Sequence, residues 1–142
     1  MAEHRRALLA GLTGTVLEIG AGNGLDFGLC PATVTRVVAV EPEPRLRGLA
    51  RTTATQTPVL IEVIGGPAEC LSAADGAVDA VVASQVLCSV RDEGVALREI
   101  HRILAPGATY RKSRRQLSKP SPPSITPNNL TRHQCTPCGH QT

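Results

Sequence analysis

Apolar and polar positions along the chain alternate between short β-branched runs and amphipathic stretches of helical period. Thr15 to Ile19, Val34 to Val40, Val59 to Ile64 and Val78 to Ala83 are near-continuous apolar runs bounded by Gly, Pro or Asp-Gly turns, which is how strands buried on both faces read. Helical spacing predicts an amphipathic first helix within Met1 to Gly11. A second helix is expected at about Leu25 to Leu29, stopped by Pro31, and a third over Arg45 to Thr53 behind Pro42 and Pro44. A short helix is expected over Ala68 to Ala73. From Asp92 to Leu104, Val95, Leu97, Ile100, Ile103 and Leu104 fall on one face with Arg98, Glu99 and Arg102 outward, and Pro106-Gly107 ends the helix. The order is one helix, then strand and helix repeated four times, which predicts an α/β fold with a doubly wound parallel sheet. Only Ala108-Thr109-Tyr110 is available for a fifth strand before Arg111-Lys112-Ser113-Arg114-Arg115, so strand four is expected to form an edge of the sheet.

Charge divides the chain in two. Residues 1 to 109 hold all 12 acidic residues and 9 of the 15 basic ones, whereas residues 110 to 142 hold 6 basic residues and no acidic one. That second stretch also carries 5 of the 11 prolines and little periodic apolar content. It cannot offset the backbone entropy of ordering, roughly 1 to 2 kcal/mol per residue, and a disordered basic tail is expected over 110–142 behind a domain spanning 1–109. With one Phe, one Tyr and no Trp, the core must be aliphatic, and aromatic stacking on single-stranded nucleic acid is not expected. No apolar run reaches the roughly 18 residues that span a bilayer. Cys30, Cys70 and Cys88 stand singly in apolar or helical contexts, as reduced, buried small hydrophobes do, and a cytoplasmic setting is the expectation.

Candidate chemistry gathers where the first strand ends, in Glu18-Ile19-Gly20-Ala21-Gly22-Asn23-Gly24. Glycine at alternate positions lets a ligand approach the backbone, and N–H groups of the following helix would favour negative or electron-rich groups. A nicotinamide fingerprint needs its third glycine at position 25, which is Leu25. The observed spacing, with Glu18 two residues ahead of the first glycine, is instead that of an S-adenosyl-L-methionine pocket.

Further pieces lie downstream: Glu41 at the end of the second strand, Ala68-Glu69 after the third, Asp75-Gly76-Ala77-Val78-Asp79 before the fourth, and Leu104-Ala105-Pro106-Gly107. Together they resemble class I S-adenosylmethionine-dependent methyltransferases of the type 11 kind. Ser84 to Val90 followed by Leu97-Arg98-Glu99-Ile100 is most similar to the methyltransferase-like group that includes thiol S-methyltransferases. The resemblance implies a Rossmann-like fold and S-adenosyl-L-methionine as cofactor. It also implies a small-molecule methyl acceptor, with neither nucleic acid nor a membrane span involved. Cofactor contacts are expected from Glu18, Gly20, Ala21, Gly22, Asn23 and Gly24. Glu41 and Pro42 would lie at the ribose, Ala68 and Glu69 at the adenine edge, and Ser84 and Gln85 beside the methyl group and acceptor. Methyl transfer from a sulfonium needs alignment rather than an obligatory nucleophile or metal, so neither is assigned.

Simpler roles stand beside these. Glu69 is also placed to cap a helix, Cys88 to fill the core, and His101 to sit solvated on a helix surface. In the tail, His133-Gln134-Cys135-Thr136-Pro137-Cys138-Gly139-His140 is too cramped a knuckle for four tetrahedral ligands, and no zinc site is expected. The resemblance stops at about Thr109, where the family continues apolar, which points to a truncated or frame-shifted reading frame. Two alternatives remain at this level: a non-catalytic cofactor-binding remnant and a basic-tailed binding module.

Overall fold

The computed structural model describes residues 2–84 and 90–113. Its elements run α1 (Ala2–Leu9), β1 (Gly14–Ile19), one 3-10 turn (Phe27–Leu29), β2 (Val34–Val40), α2 (Pro44–Ala54), β3 (Leu60–Ile64), β4 (Val78–Ala83), α3 (Glu93–Ile103) and β5 (Leu104–Lys112). The five strands form one sheet in the order β3-β2-β1-β4-β5, and every pairing is parallel. Strand order reverses between β1 and β4. That point opens a crevice at the carboxyl ends of the strands, where open α/β sheets take their ligands.

Alternation along the central strands builds two cores. Val16, Val37, Ala39, Ala80 and Val82 face α1, α2 and the aromatic ring of Phe27. Leu17, Ile19, Val40, Val81 and Ala83 face α3 and the segment that includes Ala68 and Leu71. Aliphatic side chains fill both layers, as the shortage of aromatics requires, and Phe27 is the largest fully buried side chain among the described residues.

Three expectations are corrected. The helix expected over Leu25 to Leu29 is a run of turns ending in the 3-10 turn at Phe27–Leu29. Five residues ahead of a proline are too few to repay helix nucleation, and Phe27 is drawn into the core instead. Ala68 to Ala73 likewise forms turns and bends rather than a helix. The neighbouring α3 supplies its hydrogen bonds: Arg102 donates to the carbonyls of Leu71 (2.9 Å) and Ala73 (2.9 Å), and Glu99 accepts from the N–H of Leu71 (2.8 Å). Arg102 also pairs with Asp75 (2.8 Å) and with Glu99 (2.9 Å), so these two side chains clamp a loop instead of facing outward.

The third correction concerns the fifth strand, which does form and removes β4 from the edge. Thr109, Tyr110, Arg111 and Lys112 pair with Ala80, Val81, Val82 and Ala83, carrying the sheet past the expected boundary at Thr109. Pro106-Gly107 lies within β5, where the register with β4 breaks between Val78 and Ala80. A bulge tolerates a residue that has no N–H to give the ladder. Arg111, expected in a solvated tail, donates to the carbonyls of Leu8 and Ala10 and so closes the C-terminal end of α1. The Ser113 N–H continues onto the Ala83 carbonyl (3.0 Å). Residues 114 to 142, with the remaining basic cluster and the His133 to His140 stretch, lie outside the described residues, as do Gln85 and Cys88.

Burial alone would raise the Glu99 carboxyl, but the bonds from Arg102 and from the Leu71 N–H outweigh it and hold the group below the usual carboxylate range. Stability from such a group is present above its unfolded pKa and is lost as pH falls through the folded value. Arg102→Ala is therefore expected to lower the unfolding free energy by about 2 kcal/mol at neutral pH. Urea titration should show this penalty shrinking on acidification, with Arg102→Lys recovering only part of it because the forked geometry is lost.

Candidate active site

β1 delivers the glycine loop to the crevice. Its last four residues, Val16 to Ile19, are buried, and the chain then turns through Gly20, Gly22 and Gly24, all at positive φ (69°, 59° and 85°). The loop is strapped to the end of β2. Gly20 and Ala21 both donate to the Val40 carbonyl (2.8 and 3.2 Å), and Gly22 donates to Glu41 Oε2 (3.0 Å). Gly24 donates to the Ala21 carbonyl (3.0 Å). These four loop N–H groups are thus all taken by protein acceptors, and the helix expected after the loop, whose N–H groups would favour negative or electron-rich groups, is only a 3-10 turn. Such a loop suits a ligand that meets the backbone by shape rather than a phosphate.

Two glycines do different work. A Cβ on Gly22 would have nothing within 4 Å, so that side of the loop is open. A Cβ on Gly24 would stand 2.7 Å from the Phe27 ring and 3.1 Å from Thr53 Cβ, so its glycine serves packing beneath the loop. Asn23 is exposed, and its carbonyl accepts from Thr53 Oγ1 (2.8 Å) on α2.

Glu41 is only 6% exposed at the end of β2, and its second oxygen accepts from the Glu43 N–H (3.2 Å). Glu43 in turn caps α2 by accepting from Arg45 and Leu46 (3.1 and 2.7 Å), and these backbone bonds lower its pKa. Exposed Pro42 leads into that cap, and its carbonyl accepts from Arg47 (3.4 Å). Ser84 is half-buried one residue past β4, and the Ile19–Ala83 pairing sets it level with Gly20. Ala68 is buried in the second core. Glu69 turns to the start of α3, accepting from Arg91 and Asp92 (2.8 and 3.2 Å), which is the capping role. His101 is exposed.

Glu18 is 4% exposed and lies against Asp26, which is 5% exposed. Arg5 of α1 reaches Asp26, with Nε 3.4 Å from Oδ1. Sequence reasoning missed Asp26 and Arg5; the available signal was a lone carboxylate between Leu25 and Phe27. Glu41 alone brings an acidic group to the open side of the loop, whereas Asp26 and Glu18 lie buried behind it.

The methyltransferase domain family matches residues 17–111. The chain belongs to that family. Its cofactor is S-adenosyl-L-methionine. Among curated proteins, the methyltransferase domain is 34% identical over 99 residues to thiol S-methyltransferase TMT1A of Homo sapiens, covering 68% of this chain and 40% of that one. It is 34% identical over 107 residues to thiol S-methyltransferase TMT1B of Homo sapiens, covering 70% and 43%. The matched stretch thus spans less than half the length of these relatives. Among solved structures, a SAM-dependent methyltransferase from Thermotoga maritima superposes with a TM-score of 0.58 at 29% identity, covering 72% of this chain and 45% of that one. A methyltransferase fold from Methanococcus maripaludis gives 0.68 at 22% identity, covering 78% and 56%. No helix among the described residues is long and apolar enough to cross a membrane.

Left-handed backbone costs a non-glycine residue about 1 to 2 kcal/mol, and Gly22→Ala should lose about that much. Gly24→Ala should lose clearly more, because its methyl also meets the Phe27 ring. Thermal unfolding of both variants compares them, and equal losses would show that the ring yields.

Proposed function

We propose that this chain binds S-adenosyl-L-methionine in the crevice between β1 and β4 and directs its methyl group to a small-molecule thiol. The observation that carries the reading is Glu41, a carboxylate 6% exposed, fixed at the end of β2 beside the open face of Gly22. Each carboxylate oxygen accepts one backbone N–H and keeps a second lone pair for the ribose hydroxyls. Gly22 admits the methionine portion against the backbone, and Gly20, Ala21, Asn23 and Gly24 hold the loop in that shape. Pro42 borders the ribose. Ala68 flanks the adenine, and Glu69 supports that wall through α3. Ser84, with Gln85 after it, borders the acceptor.

The bound cofactor supplies a methyl already activated by sulfonium charge, so transfer is an in-line displacement in which alignment and dehydration set the rate. The chain contributes both: rigid loop geometry aligns the donor, and the sheet end excludes water on one side. The thiol acceptor is proposed from the activity for which the two human relatives are named, each of which is more than twice the length matched here.

Calorimetric titration of the full chain with S-adenosyl-L-methionine should show saturable binding. Glu41→Gln, which keeps shape and removes charge, should weaken it at least about tenfold, the effect of a charged hydrogen bond. Release of S-adenosylhomocysteine with a small alkyl thiol, and none with an alcohol of the same shape, supports the acceptor. Binding that is indifferent to Glu41→Gln would remove the assigned ribose site, and turnover on the alcohol alone would remove the thiol.

A further inference from the structure

Asp26 is a charged residue in an apolar setting. It is 5% exposed next to the fully buried Phe27, it touches the 4% exposed Glu18, and its Oδ1 has no hydrogen-bond partner although Arg5 Nε stands 3.4 Å away. Two carboxyl groups in hydrogen-bonding contact and shielded from water cannot both be ionised. Arg5 forms its ion pair with Asp26, which leaves Glu18 as the member of the pair that carries the proton. For Glu18, burial first, then the charge and hydrogen bond of Asp26, push the carboxyl well above its usual range, and Arg5 opposes them least. The other titratable group facing the pair is Cys30, whose thiol burial pushes up to about 11, with Glu18 and Asp26 adding to it. The flanking strands present only Ala39 and Val82 level with Glu18.

We infer that Asp26 is a positioning residue of the cofactor loop: its carboxylate, held opposite Arg5 of α1, accepts a hydrogen bond from the proton-bearing carboxyl of Glu18. Glu18 precedes Gly20 by two residues and Asp26 follows Gly24 by two, so this bond clasps the two ends of the loop. α1 joins the clasp through Arg5. The consequence for binding rests on the proposed cofactor site, whereas the shared proton does not.

The test uses the full chain. At neutral pH the infrared carbonyl stretch of a protonated carboxyl should be present in the wild type and absent from Glu18→Gln, whose carboxamide still donates to Asp26. Backbone amides of Gly20, Ala21 and Gly22 should exchange hydrogen about tenfold faster in Asp26→Asn, through easier local opening, and near the wild-type rate in Glu18→Gln. Affinity for S-adenosyl-L-methionine should follow the same order. Absence of the band from the wild type overturns the inference, as does a Glu18→Gln variant whose loop exchanges as fast as that of Asp26→Asn. If Asp26→Asn does not fold, the band and the Glu18→Gln exchange rates decide alone. A wild-type chain with the band and a protected loop that binds no cofactor upholds the clasp and overturns the cofactor site.

Discussion

A single carbonyl, that of Val40, receives two N–H groups from the start of the glycine loop. This convergence is the constraint from which the site follows. It forces the chain leaving β1 to fold back over the end of β2, and so it places Gly22 within 3.0 Å of Glu41 Oε2. The Glu41 carboxylate then joins the loop to the cap of α2 through Glu43, and α2 returns along the sheet to hold the Asn23 carbonyl with Thr53. Loop, strand end and helix are one hydrogen-bonded circuit. A substitution at any member reaches the others.

That circuit also determines what the loop is suited to bind. Glycine-rich turns that cradle phosphate do so with backbone donors left over, together with the dipole of a helix behind them. Here Gly20, Ala21, Gly22 and Gly24 have protein acceptors, and only one 3-10 turn follows. Two glycine loops of similar spelling therefore differ in chemistry according to where their N–H groups go. The Glu41 carboxylate beside this one favours a ligand that brings hydroxyl donors.

The sheet was legible in the sequence because its strands are buried on both faces and read as unbroken β-branched runs. Val34–Val40 and Val78–Ala83 needed no correction. Glycine spacing and Glu41 were legible because backbone geometry demands those residue types at those places. What escaped was decided by tertiary partners. Residues 68 to 73 have a helical composition, yet Arg102 and Glu99 satisfy their backbone from 28 to 31 positions away. β5 was hidden by Pro106-Gly107, which reads as a terminator until a bulge is known to take it up. Asp26 was hidden for the same reason: a buried acid is recognisable only with the arginine that faces it.

Arg111 closes the carbonyl end of α1 from 103 positions further along the chain. Contacts of such separation form late, since a long loop must close before they contribute. As the chain leaves a ribosome, α1 emerges well before β5 and is secured only once that strand arrives. Its exposed carbonyls and the apolar stripe of Leu8 and Leu9 wait for the last described strand. During that interval α1 is available to whatever chaperone meets nascent chains.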